Sequence, residues 1–274
     1  VIMPKQSKHD KFEVDPAYDE RKALSSEVEN ARIYLNRKLV NIDSIEDSTF
    51  QLICMFSLLD CLAQEWAKYP LGARSSKQAF CKFVLAHQKQ CDYLESVDPV
   101  TLYYRVEHLI DETVWLPGFP PEKEISLDSL GYLDGMPAKD ILSGKYANVI
   151  LEYIERKKGS DFAVQKADDH RLIALLYRMR SKAVHEMSGL GESLSFDKAS
   201  QPKEPYYRDV GRGYVQGEYW VSDEVIELVI PNIFVRNILA DCINGYLDDC
   251  STDYRFPFSN NRMLRMSRLT WYDK

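Results

Sequence analysis

The sequence predicts a mainly α protein, a helical bundle with a small antiparallel β element between its last two long helices. Three observations predict it. Apolar residues recur at helical spacing through much of the stretch from Tyr18 to Met187. Capping residues, prolines and glycines divide that stretch into helix-sized pieces. Between Tyr206 and Ile230 the composition turns to aromatic and β-branched residues in short runs, and a helical pattern then resumes. The expected organisation is a loose arm over 1–17, a single helical domain over 18–250 with its β element at about 205–230, and a basic tail over 251–274.

The first helix spans about Tyr18 to Val40, with Leu24, Val28, Ala31, Leu35 and Leu39 along one face. Ser48 or Thr49 caps the second, which runs to about Tyr69 and stops before Pro70. Ser75 and Ser76 open a third, from Lys77 to about Leu94. Asp98 and Pro99 are a cap and a first-turn proline for a fourth, reaching about Trp115. Leu116 to Pro137 is rich in Pro and Gly and reads as a surface excursion. A helix over about Ala138 to Lys157 has a break point at Gly144, and Gly159-Ser160 is a turn. The next helix runs from about Asp168 to Met187 and ends at Gly189 or Gly191. Two or three short antiparallel strands follow, and Pro231 leads into a last helix over about Asn232 to Leu247.

Composition narrows the function classes. The chain has 274 residues, 45% of them hydrophobic and 28% charged, enough to bury a sizeable core. Its formal net charge of -7 argues against a surface coated for nucleic acid, while leaving room for a local basic site. The longest apolar run is Leu52 to Phe56, far short of the roughly 18 residues of a membrane span. The polar, basic N-terminal segment has no apolar core of a secretory signal. The six cysteines form no CxxC and no zinc-finger spacing, so the expectation is a reduced, cytoplasmic protein with no metal and no cofactor. Walker A, dinucleotide-binding and GxSxG patterns are all missing from the sequence.

Two helices carry the chemistry. Phe50 to Ala63 is apolar nearly all round, with only Gln51, Ser57 and Asp60 polar. A helix of that kind is normally central, so Asp60 either has a cationic partner or sits at a solvated edge. Arg171 to His185 has four basic residues and no acidic one. With Leu172 at zero and roughly 100° per residue, Leu175, Leu176, Met179 and Ala183 cluster within about 60°. Arg180 falls near 80°, at the margin of that arc, whereas Arg171, Arg178, Lys182 and His185 lie between about 220° and 280°. A guanidinium at an apolar margin wants a carboxylate or a phosphate, and Asp60 is the internal candidate. His185 points roughly 140° away from Arg180 on an ideal helix. The two reach one small group only if the helix is distorted or a symmetry-related copy contributes.

Arg180-Ser181-Lys182-Ala183-Val184-His185 resembles the R-x(4-6)-H motif of the HEPN superfamily, the higher eukaryote and prokaryote nucleotide-binding domains. The surrounding string Leu176-Tyr177-Arg178-Met179-Arg180 to Glu186, late in a helical chain, is similar to the LYxxRxxxVHE-type strings of bacterial members. The Leu58-Leu59-Asp60 helix, followed by Trp66, Phe80 and Phe83, resembles an early HEPN helix with its acidic residue. The resemblance spans about Ser48 to Leu247, although the motif occupies six residues.

The resemblance implies a HEPN-like helical bundle that dimerises. Many members are metal-independent endoribonucleases of toxin–antitoxin, phage-defence and CRISPR systems, and others have lost activity and bind nucleotides or proteins. It makes Arg180 and His185 the catalytic pair, with Asp60, Ser181, Arg178 and Lys182 in support. Ser181 stands where the family usually has Asn or Asp, which keeps a small hydrogen-bonding group. The implied partners are an RNA substrate, a second copy of the chain, and an antitoxin or regulatory protein, with no membrane. The implied chemistry is cleavage through the ribose 2′-OH, with His185 as general base or acid and Arg180 facing the charge that develops on the phosphate. Two other readings stay open. One is an inactive HEPN-like nucleotide- or protein-binding module. The other is an unrelated helical scaffold, with His185 on the surface and Arg180 a structural partner of Asp60. Arg262, Arg265 and Arg268 in the tail are a further candidate for RNA contact or for packing.

Overall fold

A computed structural model describes residues 16–68, 75–89, 92–106, 134–142, 146–186, 194–197, 202–209, 212–216, 219–223 and 226–258. Its elements are α1 (Pro16–Asp43), α2 (Ser48–Ala67), α3 (Ser76–His87), α4 (Pro99–Val106), α5 (Ala138–Leu142), α6 (Tyr146–Lys158), α7 (Ser160–His170), α8 (Leu172–Glu186), β1 (Leu194–Asp197), β2 (Tyr206–Asp209), β3 (Arg212–Gln216), β4 (Tyr219–Asp223), β5 (Ile226–Pro231) and α9 (Asn232–Thr252). The protein is mainly helical, with its strands between α8 and α9. The chain divides into two compact units, residues 38–245 and residues 1–37 with 246–274. The expected limits at 17/18 and 250/251 both fall inside the second of these.

In the larger unit, α2, α3 and α8 pack on one another. α2 buries Leu52, Met55, Phe56, Leu59, Leu62, Ala63 and Trp66, a stripe at three- and four-residue steps. α3 answers with Phe80, Phe83 and Val84, and α8 with Leu172 to Leu176, Met179 and Ala183. Aromatic rings join the three helices. Phe56 and Phe80 lie 6.5 Å apart between centroids, Trp66 and Phe83 5.7 Å, and Phe80 and Tyr177 5.6 Å. These edge-on and tilted contacts add to the area they bury. α4 packs on α6, α7 and β5, and α6 and α7 lie against each other.

β5 is the middle of a three-stranded sheet of order β1-β5-β2, and β3 and β4 form a separate antiparallel pair. Every β5 residue except Glu227 is buried, as expected of a strand covered on both faces. β2 runs antiparallel to β5 with Tyr207 opposite Leu228. Its outer edge is occupied by the segment before α5. The Tyr207 N–H donates to the Met136 carbonyl at 3.0 Å, and the Gly135 N–H donates to the Tyr207 carbonyl at 2.9 Å. Gly135 turns that segment with φ of 76°, a region that suits glycine.

The smaller unit buries Leu24, Val28 and Leu35 of α1. Arg32 reaches Asp248 at 3.7 Å. The first part of the expected basic tail packs here. Phe258 is buried against the Tyr246 ring, and its N–H donates to the Tyr246 hydroxyl at 3.0 Å. Arg255 pairs with Asp253 at 3.1 Å and Asp249 at 3.6 Å. Arg262, Arg265 and Arg268 lie outside the described residues.

Several expectations change. Asp47, not Ser48 or Thr49, caps α2, because its carboxylate accepts from the Phe50 N–H at 2.7 Å. α3 ends at His87 rather than Leu94, since Gln88 is already extended. The helix expected over Asp168 to Met187 is two helices, α7 and α8, parted at Arg171, and α7 begins at Ser160 just past Gly159. Among the described residues five strands form instead of two or three, and β1 lies upstream of 205–230. β1 is also parallel to β5, so the element is not purely antiparallel. α9 extends past Leu247 to Thr252. The expected course of α4 beyond Val106, and most of the excursion to Pro137, lie outside the described residues.

Candidate functional site

α8 is placed by a polar junction at its start. The first N–H groups of a helix lack intrahelical partners. Here the Leu172 N–H donates to the Ser96 carbonyl at 3.0 Å and the Ile173 N–H to the Leu94 carbonyl at 2.9 Å. The Asp98 N–H donates in return to the His170 carbonyl at 2.8 Å. Asp98 is fully buried; the Thr101 N–H donates to its Oδ2 at 2.8 Å and the Tyr207 hydroxyl donates to its Oδ1. Burial raises the Asp98 pKa, opposed by the hydrogen bonds from Tyr207 and Thr101. His170 is buried too, and burial lowers its pKa to about 4. Its Nδ1 lies 2.8 Å from the Lys166 carbonyl, so that nitrogen carries the proton and donates.

About two turns further on, Arg180 projects toward α2. Its Nη2 lies 2.5 Å from Asp60 Oδ2, and the side chains keep only 12% and 17% of their exposure. The guanidinium also lies over the Tyr177 ring, 5.7 Å from its centroid. Asp60 Oδ1 is buried and has no hydrogen-bond partner among the described residues. A carboxylate engaged through one oxygen holds the arginine at its place and leaves an acceptor in reserve.

The sequence-predicted residues separate into groups. Asp60 and Arg180 come together. Arg178 does not join them. Its Nη2 donates to the Asp169 carbonyl at 2.7 Å, where it caps the C-terminal end of α7. Lys77 meets the Asp169 carboxylate at 3.1 Å on the same surface. Ser181 and Lys182 are half-buried on α8. His185 lies on α8, five residues past Arg180, and its side chain lies outside the described residues. Tyr177 is the residue that the sequence reading missed. Its position three before Arg180 on a helix is the signal that finds it.

Among the described residues, no three His, Cys, Asp or Glu side chains cluster so as to hold a metal ion, and no helix is long and apolar enough to cross a membrane. No protein-family model, curated protein or solved structure matches the chain.

Proposed function

We propose that the chain is a metal-independent endoribonuclease of HEPN type, working as a cytoplasmic homodimer in a bacterial defence or toxin system. The observation that carries this reading is an arginine of an R-x(4)-H string, held at a partly open helix margin by the acidic residue of an early helix. In this reading His185 moves the proton of the ribose 2′-OH, a task suited to an imidazole whose ordinary pKa is near 6.5. Arg180 faces the phosphate as negative charge builds there. Ser181 and Lys182 border the phosphate path. RNA is the substrate, and an antitoxin or regulatory protein restrains the activity.

The ion pair itself favours a second reading. An arginine engaged by Asp60 and laid on Tyr177 has fewer donors left for a phosphate, as in a catalytically inactive module that binds a nucleotide or a protein. One experiment separates the two. Purified wild-type protein is compared with His185→Ala and Arg180→Ala on a mixed single-stranded RNA pool without metal. The nuclease reading expects cleavage by the wild type and at least about a hundredfold loss in each variant, as for removal of a general base or a charge stabiliser. Equal cleavage by all three folded proteins, or none by the wild type, overturns it.

A further inference from the structure

Two arginines meet at the junction of α4, α7 and α8 with no anion between them. Arg178 folds back from α8 to the last turn of α7, where its Nη2 donates to the Asp169 carbonyl. Arg105 comes from α4, which packs on α7, and stands near enough for its charge to oppose that of Arg178. Among the described residues that carbonyl is the hydrogen-bond partner of Arg178, and exposed Arg105 makes no hydrogen bond or ion pair. The nearby carboxylates are engaged elsewhere. Asp169 meets Lys77 at 3.1 Å, and buried Asp98 accepts from Tyr207 and Thr101. Arg32, Arg171, Arg180, Arg208, Arg236 and Arg255 differ, since each meets a carboxylate. The Arg178 residue keeps an exposed side, but its guanidinium is turned back into the protein. Burial is the main cause that lowers its pKa; Asp169 and Asp98 oppose the shift, and Arg105 adds to it. A guanidinium that has lost hydration beside a like charge is relieved by an anion.

We propose that Arg105 and Arg178 together hold a backbone phosphate of a single-stranded RNA that runs along α8. The proposal takes its ligand from the nuclease reading above and adds a phosphate site apart from the Asp60–Arg180 pair. Arg180 stands roughly 200° round α8 from Arg178. The fork of a guanidinium matches phosphate oxygens, and a phosphodiester presents oxygens on two sides, so it can bridge two forks that come from different helices. The bond to the Asp169 carbonyl sets the Arg178 fork in place, while Arg105 closes from α4. The course of α8 selects a strand over a lone anion. Arg178, half-buried Lys182 and the position of His185 lie within roughly 60° of one another around the helix and span about 10.5 Å along it. A polymer with a charge on every residue follows such a line, and a small anion uses one end of it. Contacts of this kind position a strand without reading its bases.

The test is fluorescence anisotropy with a fully 2′-O-methylated oligoribonucleotide, which lacks the 2′-OH and so is not cleaved. Wild type, Arg105→Gln, Arg105→Glu and Lys158→Gln are titrated across salt concentration. Lys158 is exposed at the far end of α7, a helix roughly 16 Å long, and makes the same change of charge away from the junction. Arg105→Gln should weaken binding roughly fivefold at about 0.1 M salt and reduce the slope of log K against log salt by about 0.7, the signature of one lost phosphate contact on a single strand. Arg105→Glu should bind more weakly still, yet melt no lower than the wild type, because it sets an anion beside Arg178. Lys158→Gln should keep the wild-type slope. An unchanged slope in Arg105→Gln, or an equal loss in Lys158→Gln, overturns the site. A lower melt for Arg105→Glu makes Arg105 structural and overturns it too. An oligoglutamate of equal length that competes and depends on Arg105 as strongly as the RNA assigns the pair to an acidic protein instead. Cleavage of unmodified RNA is read separately. Binding that depends on Arg105 without any cleavage keeps this site and removes the nuclease reading, and cleavage with binding indifferent to Arg105 does the reverse.

Discussion

Asp60 and Arg180 meet with most of both side chains withdrawn from water, so each depends on the other for the charge it holds. Asp60→Asn removes the carboxylate charge that meets Arg180 while changing the shape little. The expected outcome is a loss of roughly 2–4 kcal/mol in denaturant unfolding, as for removal of one partner of a buried pair. A loss near zero would mean that the pair is solvated as an ordinary surface bridge. Part of this is legible in the sequence. Rotation of 100° per residue separates Arg180 from its basic neighbours, and Asp60 is the charged residue in the otherwise apolar stretch Phe50 to Ala63. The use of Arg178 is not legible. It shares an arc with Lys182 and His185, and it caps α7 only because α7 ends beside it. That ending has no signal in the local residues.

At the scale of elements, the parting of α7 and α8 shows what local sequence leaves open. The string Asp168-Asp169-His170-Arg171-Leu172-Ile173 has no glycine or proline, and its propensity is continuous. Arg171 is extended because residues 94–98 donate to and accept from the backbone on both sides of it. Backbone groups that find partners from another segment no longer need the next helical turn. Gly245 is the opposite case, a feature visible in the sequence with its reason hidden. A glycine inside α9 costs about 1 kcal/mol relative to alanine, so the chain forgoes that gain. The reason is His87. A Cβ on residue 245 would stand 2.7 Å from His87 Cγ and 2.9 Å from Nδ1, and that ring is wedged edge-on against Trp66 and Phe83. Gly245→Ala should therefore destabilise by about 1–3 kcal/mol despite its better propensity. Thermal melting checks this, and a stabilised variant would show that the helices can part without cost.

At the scale of the whole molecule, His170 couples folding to pH. Burial first of all, with Arg178 nearby, holds its folded pKa at about 4, against 6.5 ordinarily. The unfolded chain therefore binds a proton that the folded chain refuses, and stability rises with pH between about 4 and 6.5. Acidification through that window should cost about 3 kcal/mol from this residue alone. Asp98 acts in the other direction. Its raised pKa lets the folded state keep a proton longer, so its contribution declines as pH rises. Denaturant midpoints measured from pH 4 to pH 7 should fall on the acid side for the wild type and fall less for His170→Gln, which takes up no proton. Parallel profiles for the two proteins would refute the assignment.

The mainly helical class, the place of the strands before the last helix, the apolar arc that α8 buries and the margin on which Arg180 stands are all legible in the residues themselves. Periodicity, caps and composition act within a turn or two of each residue, and those properties follow from them. Only the tertiary structure decided where α3 stops, where α7 yields to α8, that β1 joins β5 in parallel, and that Arg178 caps a helix while Arg180 meets Asp60. Each of these depends on a hydrogen bond or a contact with residues far along the chain, and no local pattern encodes which distant segment arrives there.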